Sequence, residues 1–89
     1  MAWALDYSAQ AQKQLRKLDK QVATRILDFM RDRVAQLDDP RTAGKALLGS
    51  VLGGYWRYRV GDYRLVCEIQ DGKLCILVVE VGNRKEIYR

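Results

Sequence analysis

Arg57, Arg59 and Arg64 crowd into the segment GYWRYRVGDYRLV, residues 53–65, interleaved with Trp56, Tyr58 and Tyr63. Guanidinium groups give paired, charge-assisted hydrogen bonds to phosphate oxygens, so three of them converging would bind a phosphodiester and steady the charge that builds on it during cleavage. The chain has no histidine. Cys67 and Cys75 lack the C-x-x-C spacing of a zinc site, so neither a metal nor another cofactor is expected. The tail VGNRKEIYR adds Arg84, Lys85, Tyr88 and Arg89. Tyr88 has two readings: simple packing at a terminus, or an aromatic hydroxyl that stacks on an RNA base or takes part in proton transfer.

A hairpin must present these arginines. Gly61-Asp62 is a two-residue turn signal, and it predicts strands Tyr55–Val60 and Tyr63–Gln70 with Val60 opposite Tyr63, Arg59 opposite Arg64, Tyr58 opposite Leu65 and Arg57 opposite Val66. One face then carries Trp56, Tyr58, Val60, Tyr63, Leu65 and Cys67, and the other carries Arg57, Arg59 and Arg64. Asp71-Gly72 reads as a second two-residue turn leading to a third strand, Lys73–Val81, apolar on both sides like an interior strand and pairing Val79 with Arg64. Like charges directly opposite each other cost about 0.2–1 kcal/mol, so the Arg59–Arg64 pair calls for an anion. The competing reading has Glu68 and Glu80 neutralising the cluster as an exposed ion network.

Upstream, residues 3–7 read as a short strand. Ser8 is a helix N-cap ahead of Ala11, Leu15 and Leu18, with a break at Leu18-Asp19. From Lys20, the spacing of Val22, Ile26, Phe29, Met30, Val34 and Leu37 predicts one amphipathic helix that runs until Pro40 stops it. Arg16, Lys17, Lys20, Arg25, Arg31 and Arg33 lie mostly off the apolar stripe, as a solvated face or a binding surface. Residues 38–55 carry four glycines and no period, which predicts a long loop. The fold class is therefore α+β: an N-terminal strand and a two-helix hairpin packed on one face of a small, mainly antiparallel sheet of about four strands.

The 89 residues fit one domain, residues 1–89, and a hydrophobic share of 48% excludes a disordered chain. A net charge of +5 points to an acidic partner, nucleic acid first, or serves solubility alone. No apolar run is long enough to span a bilayer and MAWALDY lacks the form of an export signal, so a cytoplasmic protein without membrane contact is expected. In that setting Cys67 and Cys75 read as buried thiols, with a cross-strand disulfide as the alternative.

LDKQV after a short helix, the G-Y-W-R-Y-R-V-G-D-Y-R hairpin and the terminal V-G-N-R-K-E-I-Y-R together resemble the RelE branch of the RelE/ParE toxins of bacterial toxin–antitoxin systems. The resemblance covers nearly the whole chain. It implies a ribosome-dependent mRNA endonuclease that cuts in the A site without a metal, the ribose 2′-hydroxyl attacking the adjacent phosphate. It assigns catalytic roles to Arg57, Arg59, Arg64, Arg84 and Tyr88, and RNA contacts to Lys45, Lys85 and Arg89. The implied partners are a RelB-like antitoxin, the ribosome with its mRNA, and operator DNA reached through the toxin–antitoxin complex.

The chain departs from some relatives. Arg57 and Arg59 stand where others carry lysine, which suits phosphate stabilisation and not proton abstraction, because arginine holds its proton. Leu48 stands where many have a basic residue. A ParE-like inhibitor of DNA gyrase, cutting nothing itself, is the alternative function, and a basic RNA-binding module without activity is a third.

Overall fold

The computed structural model describes residues 2–47 and 54–83. The first strand, β1 (Ala4–Tyr7), leads into helix α1 (Ala9–Arg16) through Ser8. The Ser8 hydroxyl accepts from the Ala11 N–H at 3.0 Å, closing the helix start, and donates to the Val79 carbonyl at 2.7 Å. N-caps of this type are worth about 1 kcal/mol. Asp19 then opens helix α2 (Lys20–Asp32), so the break at Leu18-Asp19 stands as the sequence predicts.

Helix α2 does not continue to Pro40. It ends at Asp32, and the chain tightens into a 3-10 turn, Val34–Gln36, that buries Val34 and Ala35. The Trp3 N–H donates to the Ala35 carbonyl at 2.7 Å and holds this turn beside β1. Pro40 starts a second 3-10 turn, Pro40–Ala43, where its missing N–H is not needed. The expected loop at 38–55 therefore contains that turn and a two-residue strand, β2 (Lys45–Ala46); residues 48–53, Leu48 among them, lie outside the described residues.

The strands β3 (Tyr55–Val60), β4 (Tyr63–Gln70) and β5 (Cys75–Asn83) complete a five-stranded sheet in the order β1-β5-β4-β3-β2, with β1 parallel to β5 and the other pairs antiparallel. The sheet gains one strand over the sequence expectation, the short β2. The β3–β4 hairpin keeps the predicted register, with Arg59 opposite Arg64. Gly61 supplies the positive φ of 59° that its turn requires.

The second connection corrects the sequence reading. Asp71–Lys73 form a 3-10 turn and Leu74 takes a left-handed conformation at φ 50°, so the link is longer than the expected Asp71-Gly72 turn and β5 begins at Cys75. A bulge follows: Val66 faces Glu80 and Cys67 faces Val78, leaving Val79 as the extra residue. Turn and bulge together slide the register so that Arg64 pairs with Gly82 instead of Val79.

The bulge sits where β1 ends, and α1 side chains meet the uncovered edge of β5. Ser8 takes the Val79 carbonyl, while the Gln14 side-chain carbonyl accepts from the Val81 N–H at 2.6 Å. Helix α1 is thereby fixed to the sheet by polar contacts as well as by packing. The core lies between the helices and the sheet, with Ala11, Ile26, Met30 and Val34 against Tyr58, Leu65, Cys67, Ile76 and Val78. Burying a large apolar side chain contributes about 1.5–3 kcal/mol. Cys67 and Cys75 are both buried thiols, not a disulfide.

Candidate functional site: a basic cleft beside the hairpin

Residues opposite one another on neighbouring strands share a face of the sheet, and the registers Lys45↔Arg57 and Arg59↔Arg64 therefore place four cations on the face turned away from the helices. They line one open cleft of about 370 Å³ together with Ala43, Gly44 and Tyr58. None of the described residues lining it is acidic. Arg59 is exposed, whereas Arg64 keeps only 5% of its surface and stands as the charged residue buried in the sheet. Its neighbour across β5 is Gly82, which has no side chain to crowd it.

Glu68 and Glu80, the carboxylates weighed as neutralising partners, do not line the cleft. Glu68 accepts from the Gln70 side-chain amide at 2.7 Å, and Glu80 borders a separate hollow with Gln14, Lys17 and Tyr63. Phosphate-sized anions entering the cleft would meet donors from three strands.

Gly44 and Tyr58 shape the wall, and neither stood out in the sequence as a site residue. The Tyr58 hydroxyl donates to the Pro40 carbonyl at 2.7 Å, and burial pushes its phenol above the ordinary tyrosine value, so it is a fixed wall and not a proton acceptor. Gly44 lies flat on that ring. A Cβ there would meet Tyr58 Cε2 at 2.9 Å and the Arg57 carbonyl at 3.0 Å. The backbone at Gly44 is ordinary extended chain, so the demand is for space, and spacing in the sequence gives no sign of it.

The turn that delivers Gly44 and Lys45 is tied down from below. Arg41 grips Asp71 with both Nη atoms, at 3.2 and 2.6 Å, and lies over the Trp56 ring at 5.9 Å. The Arg41 guanidinium holds the Asp71 carboxyl below the usual carboxylate range. Of the residues assigned from the sequence, Lys45, Arg57, Arg59 and Arg64 are thus together. Arg84, Lys85, Tyr88 and Arg89 lie outside the described residues. Among the described residues no group of three His, Cys, Asp or Glu side chains is placed to hold a metal ion.

Comparison with known proteins places this arrangement. Residues 5–88 match the family model described as the ParE toxin of the parDE type II toxin–antitoxin system. The mRNA interferase toxin RelE of Escherichia coli is 32% identical over 90 residues, covering 99% of this chain and 92% of the relative. The chain belongs to the RelE/ParE toxin family, on its RelE-like side. Toxin RelG of Mycobacterium tuberculosis is 27% identical over 89 residues, covering 100% of this chain and 99% of that protein.

The family fold extends over the full sheet and both helices. The toxin–antitoxin complex RelBE2 from Mycobacterium tuberculosis matches with a TM-score of 0.85 at 24% identity, covering 94% of this chain and 93% of that one. The intact RelBE toxin–antitoxin complex of E. coli matches with a TM-score of 0.74 at 26% identity, covering 92% and 96%. No helix among the described residues is long and apolar enough to cross a membrane.

Proposed function

We propose that this RelE-like toxin is a ribosome-dependent mRNA endonuclease that arrests translation by cutting message in the A site. The single observation that carries the reading is the cleft itself, with Lys45, Arg57, Arg59 and Arg64 on one open face and no acid among the described residues that line it. The relative named an mRNA interferase supports it.

In the proposed reaction the 2′-oxygen of the message bonds to the adjacent phosphorus and the bond to the 5′-oxygen breaks. The products are a 2′,3′-cyclic phosphate and a 5′-hydroxyl, with the proton lost at the 2′-oxygen and one gained at the 5′-oxygen. Arg57, Arg59, Arg64 and Arg84 steady the charge on the phosphorane, and Tyr88 stacks on a base or carries the proton. Such a site needs no metal. It has no strong base, so it depends on a host that aligns the 2′-oxygen for attack, which is what the ribosome supplies. Lys45, Lys85 and Arg89 contact RNA.

A RelB-like antitoxin restrains the toxin and brings it to operator DNA in the complex; antitoxin-bound relatives of the same fold support this partner. The family description as a ParE toxin favours a second reading, inhibition of DNA gyrase without nuclease activity. Induction in bacteria separates the two. Early loss of translation with new 5′-hydroxyl ends on messages supports the nuclease, and early arrest of DNA replication with intact messages rejects it.

A further inference from the structure

The β3–β4 turn carries arginines on both of its sides. On the cleft side, Arg59 Nε approaches the Gly61 carbonyl at 3.4 Å. On the helix side, Arg25 of α2 lays its guanidinium against the same glycine: a methyl group on Gly61 would meet Nη1 at 3.5 Å, Cζ at 3.8 Å and Nη2 at 3.9 Å. These are ordinary contact distances, so it is the positive φ of Gly61 and not crowding that disfavours a side chain there.

Arg25 is exposed and, among the described residues, forms no ion pair; the same holds for Arg59. Asp28, one turn along the helix, is held by Arg31 at 3.0 Å. Asp62, beside Gly61 in the turn, pairs with neither arginine. Lys20, Gln21, Thr24 and Asp28 border a shallow hollow with Arg25, and the Asp28 carboxylate there is taken up by Arg31. With no carboxylate among the described residues paired to either, each guanidinium fork keeps donors that a phosphate on its own side of the turn can take.

We infer that Arg25 and Arg59, reaching the Gly61 turn from opposite sides, form a second subsite in which each grips its own phosphate of a single RNA strand passing from the cleft around the hairpin tip onto α2. The inference rests on the reading of the cleft as an RNA site. Arg59 is the shared member, serving the cleft with one flank and the tip with the other. Arg25 contributes affinity and register; it does not touch the reacting atoms.

The test is binding of a short, unstructured fluorescent RNA to the full chain across a salt series, read by anisotropy. Each lost phosphate contact on a single strand flattens the plot of log affinity against log salt by about 0.7. Arg25→Gln is expected to flatten it by that amount and weaken binding severalfold at low salt, Arg25→Lys to restore the slope, and Arg33→Gln, an exposed charge at the far end of α2, to leave the slope unchanged. Equal flattening by Arg25→Gln and Arg33→Gln would mean general charge attraction and overturn the subsite. A slope changed by Arg59→Gln but not by Arg25→Gln overturns the subsite, as does failure of the unaltered protein to bind the RNA; the functional reading falls separately, if messages keep intact ends on ribosomes exposed to the protein.

Discussion

Arg59 on β3 lies directly opposite Arg64 on β4, two guanidinium groups on adjacent strands of one sheet face. A fold selected for stability alone gains nothing from that pairing. Replacing exposed Arg59 with threonine, a good strand former, is expected to raise the unfolding free energy by about 0.2–1 kcal/mol while weakening RNA binding. Urea unfolding beside an RNA-binding assay measures both; lower stability in the variant would show that the pair is not repulsive.

Arg64 is the most enclosed cation of the cleft, at 5% exposure. Arg64→Ala is expected to lower the ribosome-dependent cleavage rate by about a hundredfold or more, the usual loss when a single preorganised donor is removed. Circular dichroism on the same sample checks that the sheet persists.

Gly44 touches the Tyr58 ring and the Arg57 carbonyl so closely that even one methyl group forces a shift. Gly44→Ala is expected to cost about 1–3 kcal/mol of stability, the range for overpacking, and to displace Lys45 from the cleft rim. Equilibrium unfolding measures the first effect. A crystal structure of the variant reads the second.

Burial raises the Cys67 thiol and the Tyr58 phenol, and pushes Tyr7 up to about 12. Each native group keeps a proton that the unfolded chain releases, beginning near the ordinary cysteine and tyrosine values of about 8.5 and 10. The unfolded state then binds fewer protons than the native state, so stability is fully present below about pH 8.5 and falls as pH rises towards 12 and beyond. Denaturant midpoints taken from pH 7 to pH 11 should decline with an increasing slope. A midpoint that stays level to pH 11 would contradict the burial of these groups.

The β3–β4 hairpin was legible from the sequence because a glycine in a two-residue turn sets the register of every residue after it, and Gly61 takes the required positive φ. Asp71-Gly72 carries the same signal, yet Leu74 adopts the left-handed conformation instead, which no propensity for leucine predicts. The Val79 bulge offers its carbonyl to Ser8, far away in sequence, a contact that local patterning cannot report. Beyond α2 the apolar spacing runs on through Val34 and Leu37, so the change to a 3-10 turn was hidden, Val34 still packing into the core. The three hairpin arginines of the cleft could be read directly. The Gly44–Tyr58 wall could not, because it comes from packing between a 3-10 turn and a strand.

The most direct measurement is to add the purified toxin to ribosomes stalled on a defined message with an empty A site and to map the RNA ends. The account predicts a cut within the A-site codon that leaves a 5′-hydroxyl and a 2′,3′-cyclic phosphate, strongly reduced by Arg57→Gln, Arg59→Gln or Arg64→Gln. An intact message, or cleavage that proceeds equally well without those guanidinium groups, would contradict it.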